Sequence, residues 1–145
     1  MSTDWLWECG TTSVREPVRW SGRAEPSAVA VVRRLVGDEA VRAGGDQDVR
    51  DRLRLAVTEA VTNVVMHAYR FAPEPGDVLV TVEHHDDALA VVVRDHGIGL
   101  LPRTDSPGLG LGLGLMAQLA DQCEIATRAA GGVEVRLRFA LAAAA

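Results

Sequence analysis

Two periods of apolar spacing alternate along the chain, and they predict helices alternating with strands. Between Pro26 and the pair Gly44-Gly45, apolar residues recur at helical spacing. Proline in the first turn and glycine after the last are typical helix boundaries, so a first helix is predicted there. A longer helix is predicted from about Asp48 to Tyr69, because one apolar stripe runs along it. This stripe consists of Val57, Ala60, Val61, Val64, Val65 and Ala68.

After Pro73 and Pro75 the apolar residues change from helical spacing to every second position, which predicts a β-hairpin. Residues 78–82 alternate as a strand, and Asp86-Asp87 is typical of a turn. The following run from Leu89 to Val93 is apolar at every position, which favours a central strand covered on both faces.

The two ends of the chain carry weaker signals. All three tryptophans lie within residues 1–24, with weak strand character around Val18 and a predicted turn at Ser21-Gly22. Towards the other end we predict a short helix over 115–120, then strands over 123–127 and 133–141, the last with one polar face.

This order of elements predicts an α+β two-layer sandwich, in which about three helices cover one face of a mostly antiparallel, mixed sheet. We expect residues 1–24 to be an edge strand or an extension, residues 25–141 to be the folded domain, and residues 142–145 to be a tail.

Composition narrows the class of protein. A chain of 145 residues, 48% hydrophobic, is long enough for one domain with its own core. Its net charge of −5 argues against a nucleic-acid partner and against an anionic membrane surface. The uncharged stretch 106–120 is too short to span a bilayer, and the acidic N-terminus is unlike a signal peptide. Cys9 and Cys123 have no metal spacing, so we expect reduced thiols and a cytoplasmic protein.

The second helix carries a polar face opposite its apolar stripe. Glu59, Asn63 and His67 follow one another at intervals of four, within about 80° around the helix. A solvated surface would also be polar, but it is usually filled with better helix formers than asparagine. An amide oxygen suits Mg²⁺, and a carboxylate one turn away can accept a proton from an attacking hydroxyl.

Two glycine-containing segments complete the candidate chemistry. Asp95 ends the buried strand and precedes Gly97 and Gly99. Its carboxylate can accept a hydrogen bond from an adenine amine, and the glycines allow a flat base to approach the backbone. Acid-glycine turns after strands are common, so this motif alone is weak. In the run 108–116, glycines alternate with leucines before a helix, a pattern that favours phosphate binding over a merely flexible loop.

Taken in order, these three segments resemble the N, G1 and G2 boxes of the Bergerat-fold, or histidine-kinase-like, ATPases. They are most similar to the small bacterial branch of anti-sigma-factor serine kinases in partner-switching systems. The resemblance covers about residues 26–141. It implies that Glu59 is the catalytic base, that Asn63 holds Mg²⁺ and that Asp95 reads adenine. The implied cofactor-binding set is Asn63, His67, Asp95, Gly97, Gly99, Arg103, Gly108, Gly110 and Gly112.

The resemblance further implies a function. The chain would use ATP and Mg²⁺ to phosphorylate an anti-anti-sigma antagonist protein on serine or threonine, would sequester a sigma factor, and would form a homodimer. Only residues 100–107 separate Gly99 from Gly108, so the lid is short, and Arg103 is its sole cation. A short lid favours the alternative of a non-catalytic, ATP-dependent binding module. A metal site at residues 84–87 is disfavoured, because neighbouring strand residues point to opposite faces.

Overall fold

The computed structural model describes residues 15–99 and 114–141. The elements in chain order are β1 (Val18–Arg23), α1 (Pro26–Arg42), α2 (Gln47–Asn63), a π-helical turn (Val64–Ala68), β2 (Asp77–His84), β3 (Ala88–Asp95), β4 (Gln122–Thr127) and β5 (Val133–Ala140). Residues 114–119 are also helical. None of the described helices is long and apolar enough to cross a membrane.

The strands form one sheet in the order β1-β2-β3-β5-β4, with β3 at its centre as predicted. Every pairing among the described strands is antiparallel, so this part of the chain shows no parallel component. Val91 and Val93 of β3 face the helices, whereas Ala90 and Val92 lie on the opposite face and are still buried. The two-layer α+β class predicted above is confirmed.

One face of the sheet packs against α1 and α2, and this layer holds the core. Local sequence signals set the helix boundaries: Pro26 lies in the first turn of α1, and the Asp46 carboxylate accepts a hydrogen bond from the Val49 N–H at 2.9 Å at the start of α2. The Arg54 guanidinium of α2 lies over Gly37 of α1, with Nε 2.5 Å from where a Cβ would stand. The largest fully buried side chains include Leu53, Leu89, Met116, Leu137 and Phe139.

The prediction of a turn at Ser21-Gly22 is wrong. Both residues lie inside β1, paired with Leu79 and Val78 of β2. The Trp20 ring packs over Gly22, where a Cβ would lie 2.7 Å from the ring. Trp5, Trp7 and Cys9 lie outside the described residues.

A buried polar pair links α1 to the sheet, and the sequence pattern did not indicate it. Nε2 of His84 and Oε2 of Glu39 are 2.8 Å apart, and both side chains are over nine-tenths buried. His85, the next residue, lies near Glu83, with 3.4 Å between Nε2 and Oε2. Within the described ranges, no three His, Cys, Asp or Glu side chains group as a metal site.

Candidate nucleotide-binding site

The helix that carries the predicted catalytic face changes geometry at its end. The α-helical part stops at Asn63, and Val64–Ala68 form a π turn, where a continuous α-helix to Tyr69 was expected. A π turn holds more residues than an α turn, so it rotates less per residue and brings His67 back towards the line of Glu59 and Asn63. Such turns occur frequently at functional sites.

Glu59 and Asn63 are half-buried on this helix. Neither side chain is hydrogen-bonded to another group in the described part of the chain, so the side-chain oxygens of both are available to a ligand. His67, also half-buried, lies in the π turn. The carboxylate and the carboxamide therefore lie one turn apart, as the four-residue spacing predicted.

Asp95 lies at the end of the central strand, facing the helices, and is only 4% exposed. Its Oδ1 accepts hydrogen bonds from the Gly97 N–H at 2.8 Å and from the Val133 N–H at 3.3 Å. These two backbone donors offset part of the cost of burying a carboxylate. Among the described residues none donates to Oδ2, so this oxygen can accept from a ligand.

The loop after β3 contacts the end of the π turn directly. The Ile98 N–H donates to the carbonyl oxygen of Ala68 at 3.0 Å, and a Cβ on Gly97 would lie only 2.2 Å from that oxygen. Room for a flat base at Gly97 stays a prediction, and the structure adds a second reason for glycine there, because a Cβ would collide with the helix end. Gly99 differs, because its φ of +80° lies in the left-handed region that favours glycine.

This contact brings the Asp95 loop to the helix that carries Glu59 and Asn63. Asn63 lies at the start of the π turn that ends at Ala68, and Glu59 lies one α-helical turn before Asn63. The helix thus presents its acceptors in a row leading away from the loop.

Three further residues hold the Asp95 segment, and sequence reasoning missed their roles. The Tyr69 hydroxyl accepts from the His96 N–H at 2.8 Å, and Nη1 of Arg128 donates to the Asp95 carbonyl oxygen at 2.9 Å. Gly132, with φ of +96°, passes so close that a Cβ would lie 2.0 Å from the same oxygen. The glycine pair at 131–132 was visible as a turn, but only pairing of β5 with β3 brings it to Asp95.

The predicted phosphate-binding segment is described only from residue 114 onward. Arg103, Gly108, Gly110 and Gly112 lie outside the described residues. The helical residues 114–119 are held on α2, because Nη1 of Arg52 donates to the Leu119 carbonyl oxygen at 2.7 Å. Met116 is fully buried, so this segment is anchored to the core next to the helix that carries Glu59.

An antiparallel sheet whose central strand ends at a buried aspartate, in contact with a helix bearing glutamate and asparagine, defines the class of histidine-kinase-like ATPases. The family model of the histidine kinase-like ATPase domain matches residues 22–139, and the chain belongs to this family.

Within that family the chain is similar to serine-protein kinases named RsbW. It is 36% identical to the Bacillus velezensis protein over 117 residues, which are 70% of this chain and 72% of the relative. The Bacillus pumilus protein is 33% identical over 130 residues, 79% of each chain. The chain therefore belongs to the RsbW branch, and the family resemblance noted from the three boxes is confirmed.

A solved structure shows the same fold. The RsbU and RsbW domains of a Mycobacterium tuberculosis protein match with a TM-score of 0.69 at 23% identity. The match covers 88% of this chain and 33% of that longer chain.

Proposed function

We propose that this protein is an ATP-binding anti-sigma factor and a protein serine/threonine kinase, which phosphorylates an anti-anti-sigma antagonist and sequesters a sigma factor. The observation that carries the proposal is the buried Asp95 carboxylate, fixed by backbone donors where the loop contacts the glutamate-bearing helix. The relatives named serine-protein kinases support this function.

Asp95 would read the adenine base. The exocyclic amine of adenine is a donor, and Oδ2 of Asp95 is an acceptor on a side chain that is almost wholly buried. Gly97 and Gly99 would lie along the base, with the ribose and phosphates extending past the helix end towards Asn63. The glycines at 108, 110 and 112 and Arg103 would contact the phosphates.

Glu59 would act as the general base, accepting the proton of a serine hydroxyl as that oxygen attacks the γ-phosphate. The site suits Mg²⁺, because the Asn63 carboxamide is a hard oxygen ligand and the phosphates and water can complete the shell. When bound, Mg²⁺ would neutralise charge on the transferred phosphoryl group. His67 lies one turn beyond Asn63 and would border the phosphates.

Phosphorylation would release the antagonist protein and leave the kinase able to hold its sigma factor. We further propose that the kinase acts as a homodimer in the cytoplasm, where ATP and sigma factors are found. The alternative is an ATP-dependent binding module without turnover, and the short segment between Gly99 and Gly108 favours it.

One labelling experiment separates these two functions. The protein is incubated with γ-labelled ATP, Mg²⁺ and candidate antagonist proteins, beside the variants Glu59→Gln and Glu83→Gln. Glu83 lies on the sheet face opposite the helices, so its variant controls for the loss of a carboxylate. We expect label transfer by the unaltered protein and by Glu83→Gln, but not by Glu59→Gln, although all three bind ATP. ATP binding without any transfer would favour the binding module.

A further inference from the structure

Tyr69 is the single tyrosine of the chain, and its hydroxyl joins three elements beside the candidate site. The hydroxyl donates to the carbonyl oxygen of Asp77 at 2.5 Å and accepts from the N–H of His96 at 2.8 Å. Asp77 begins β2, His96 directly follows β3, and Tyr69 directly follows the π turn. One side chain therefore ties the helix end to the backbone next to Asp95.

The position of the hydroxyl is set by the ring as well as by its hydrogen bonds. The ring lies against Gly76, where a Cβ would come within 2.4 Å of Cε1. Burial raises the pKa of the Tyr69 hydroxyl above its ordinary value of 10.0, so the group stays protonated and remains a donor at neutral pH.

The backbone of the segment from Asp95 to Ile98 is hydrogen-bonded to other elements on both sides of His96. Ahead of it Arg128 binds the Asp95 carbonyl oxygen, and after it the Ile98 N–H binds the Ala68 carbonyl oxygen. At His96 itself, Tyr69 supplies the acceptor for the backbone N–H. Loss of the hydroxyl would leave the His96 N–H and the Asp77 carbonyl without this partner, which favours a shift of the backbone towards water.

We propose that Tyr69 is a positioning residue that sets nucleotide selectivity, by fixing the backbone at His96 so that the Asp95 carboxylate faces the exocyclic amine of adenine. The inference rests on the proposed function, in which Asp95 accepts from that amine. Tyr69 would act through His96 and Asp95, without contacting the nucleotide itself.

The test compares ATP with inosine triphosphate, which carries a carbonyl where adenine carries the amine. Dissociation constants for both nucleotides are measured by calorimetry for the unaltered protein and for Tyr69→Phe. We expect the unaltered protein to prefer ATP. Tyr69→Phe should lose about fivefold of that preference, the effect of losing the single hydrogen bond between Asp95 and the adenine amine. If Tyr69 had a merely structural role, its loss would weaken the binding of both nucleotides alike and leave the ratio of their dissociation constants unchanged. Thr81→Val, which removes a hydroxyl on the outer face of β2, is the matched control and should keep the preference.

Gly76→Ala provides an independent variant that keeps the hydroxyl but displaces the ring, and it should lose the same preference. It decides the question if Tyr69→Phe does not fold. Unchanged selectivity in either folded variant would overturn the role of Tyr69. Equal binding of both nucleotides by the unaltered protein would instead overturn the role of Asp95 in the proposed function, and this inference with it.

Discussion

Gly97→Ala tests whether the contact between the Asp95 loop and the π turn is as close as the structure shows. The added Cβ would lie 2.2 Å from the Ala68 carbonyl oxygen, 2.6 Å from the Ala68 carbonyl carbon and 2.7 Å from the Ala68 Cβ. Two of these atoms belong to the backbone of a buried helix end, so no side-chain rotation relieves the clash. The loop and the helix must therefore separate by roughly 1 Å.

The magnitude follows from two terms. Overpacking of this kind costs about 1–3 kcal/mol, and separation also breaks the hydrogen bond from the Ile98 N–H to Ala68, worth about 1 kcal/mol. We therefore expect Gly97→Ala to lower the free energy of unfolding by about 2–4 kcal/mol. The assay is urea denaturation followed by tryptophan fluorescence, with ATP binding measured by calorimetry below the transition.

Gly114→Ala is the matched control, because a Cβ at Gly114 meets nothing within 4 Å and alanine favours helix. Its stability should be unchanged or slightly raised. If Gly97→Ala were as stable as the unaltered protein and lost only ATP binding, glycine would be needed there for the nucleotide and not for Ala68. That result would refute the structural reasoning for Gly97.

Three further predictions follow from buried polar groups. Asp95→Asn should weaken ATP binding by at least ~1.5 kcal/mol, because a charge-assisted hydrogen bond is lost, and calorimetry showing unchanged affinity would remove Asp95 from its role. Thr58→Val should raise the free energy of unfolding by about 1 kcal/mol in urea denaturation, since Oγ1 of Thr58 is buried and has no hydrogen-bond partner among the described residues; destabilisation would contradict this. Burial alone would raise the pKa of the Glu134 carboxyl, but hydrogen bonds from Arg136 and Arg94 outweigh it and hold the pKa below the ordinary value of 4.5. The ionised carboxylate therefore stabilises the fold above about pH 4.5, and this contribution is lost as the pH falls through the lowered pKa. Urea denaturation of Glu134→Gln should accordingly show a weaker pH dependence than the unaltered protein in that acidic window, and an identical dependence would refute it.

The roles of individual site residues rest on different kinds of support. The structure brings the Asp95 loop to the helix of Glu59 and Asn63, but the catalytic and Mg²⁺-binding roles of the latter two remain predictions. Arg103 and the glycines at 108, 110 and 112 also remain predictions, since the structure does not describe them. For Gly97 the structure adds a reason that sequence reasoning did not consider.

The sequence by itself determined what depends on neighbours along the chain. Helix boundaries at Pro26 and Gly44, the hairpin around residues 86–87 and the central position of β3 follow from local propensity and from periods of apolar spacing. The family could be recognised because the order and spacing of three short motifs are visible in the linear sequence.

Tertiary structure decided whatever depends on contacts between distant segments. The sequence predicted a turn at Gly22, but pairing with β2 places this residue inside a strand. The contact between His84 and Glu39 likewise joins residues 45 positions apart. Likewise, Tyr69 meets His96 only because α2 ends against the loop after β3. Close approach and hydrogen-bond partnership are properties of packed surfaces, so no local pattern encodes them.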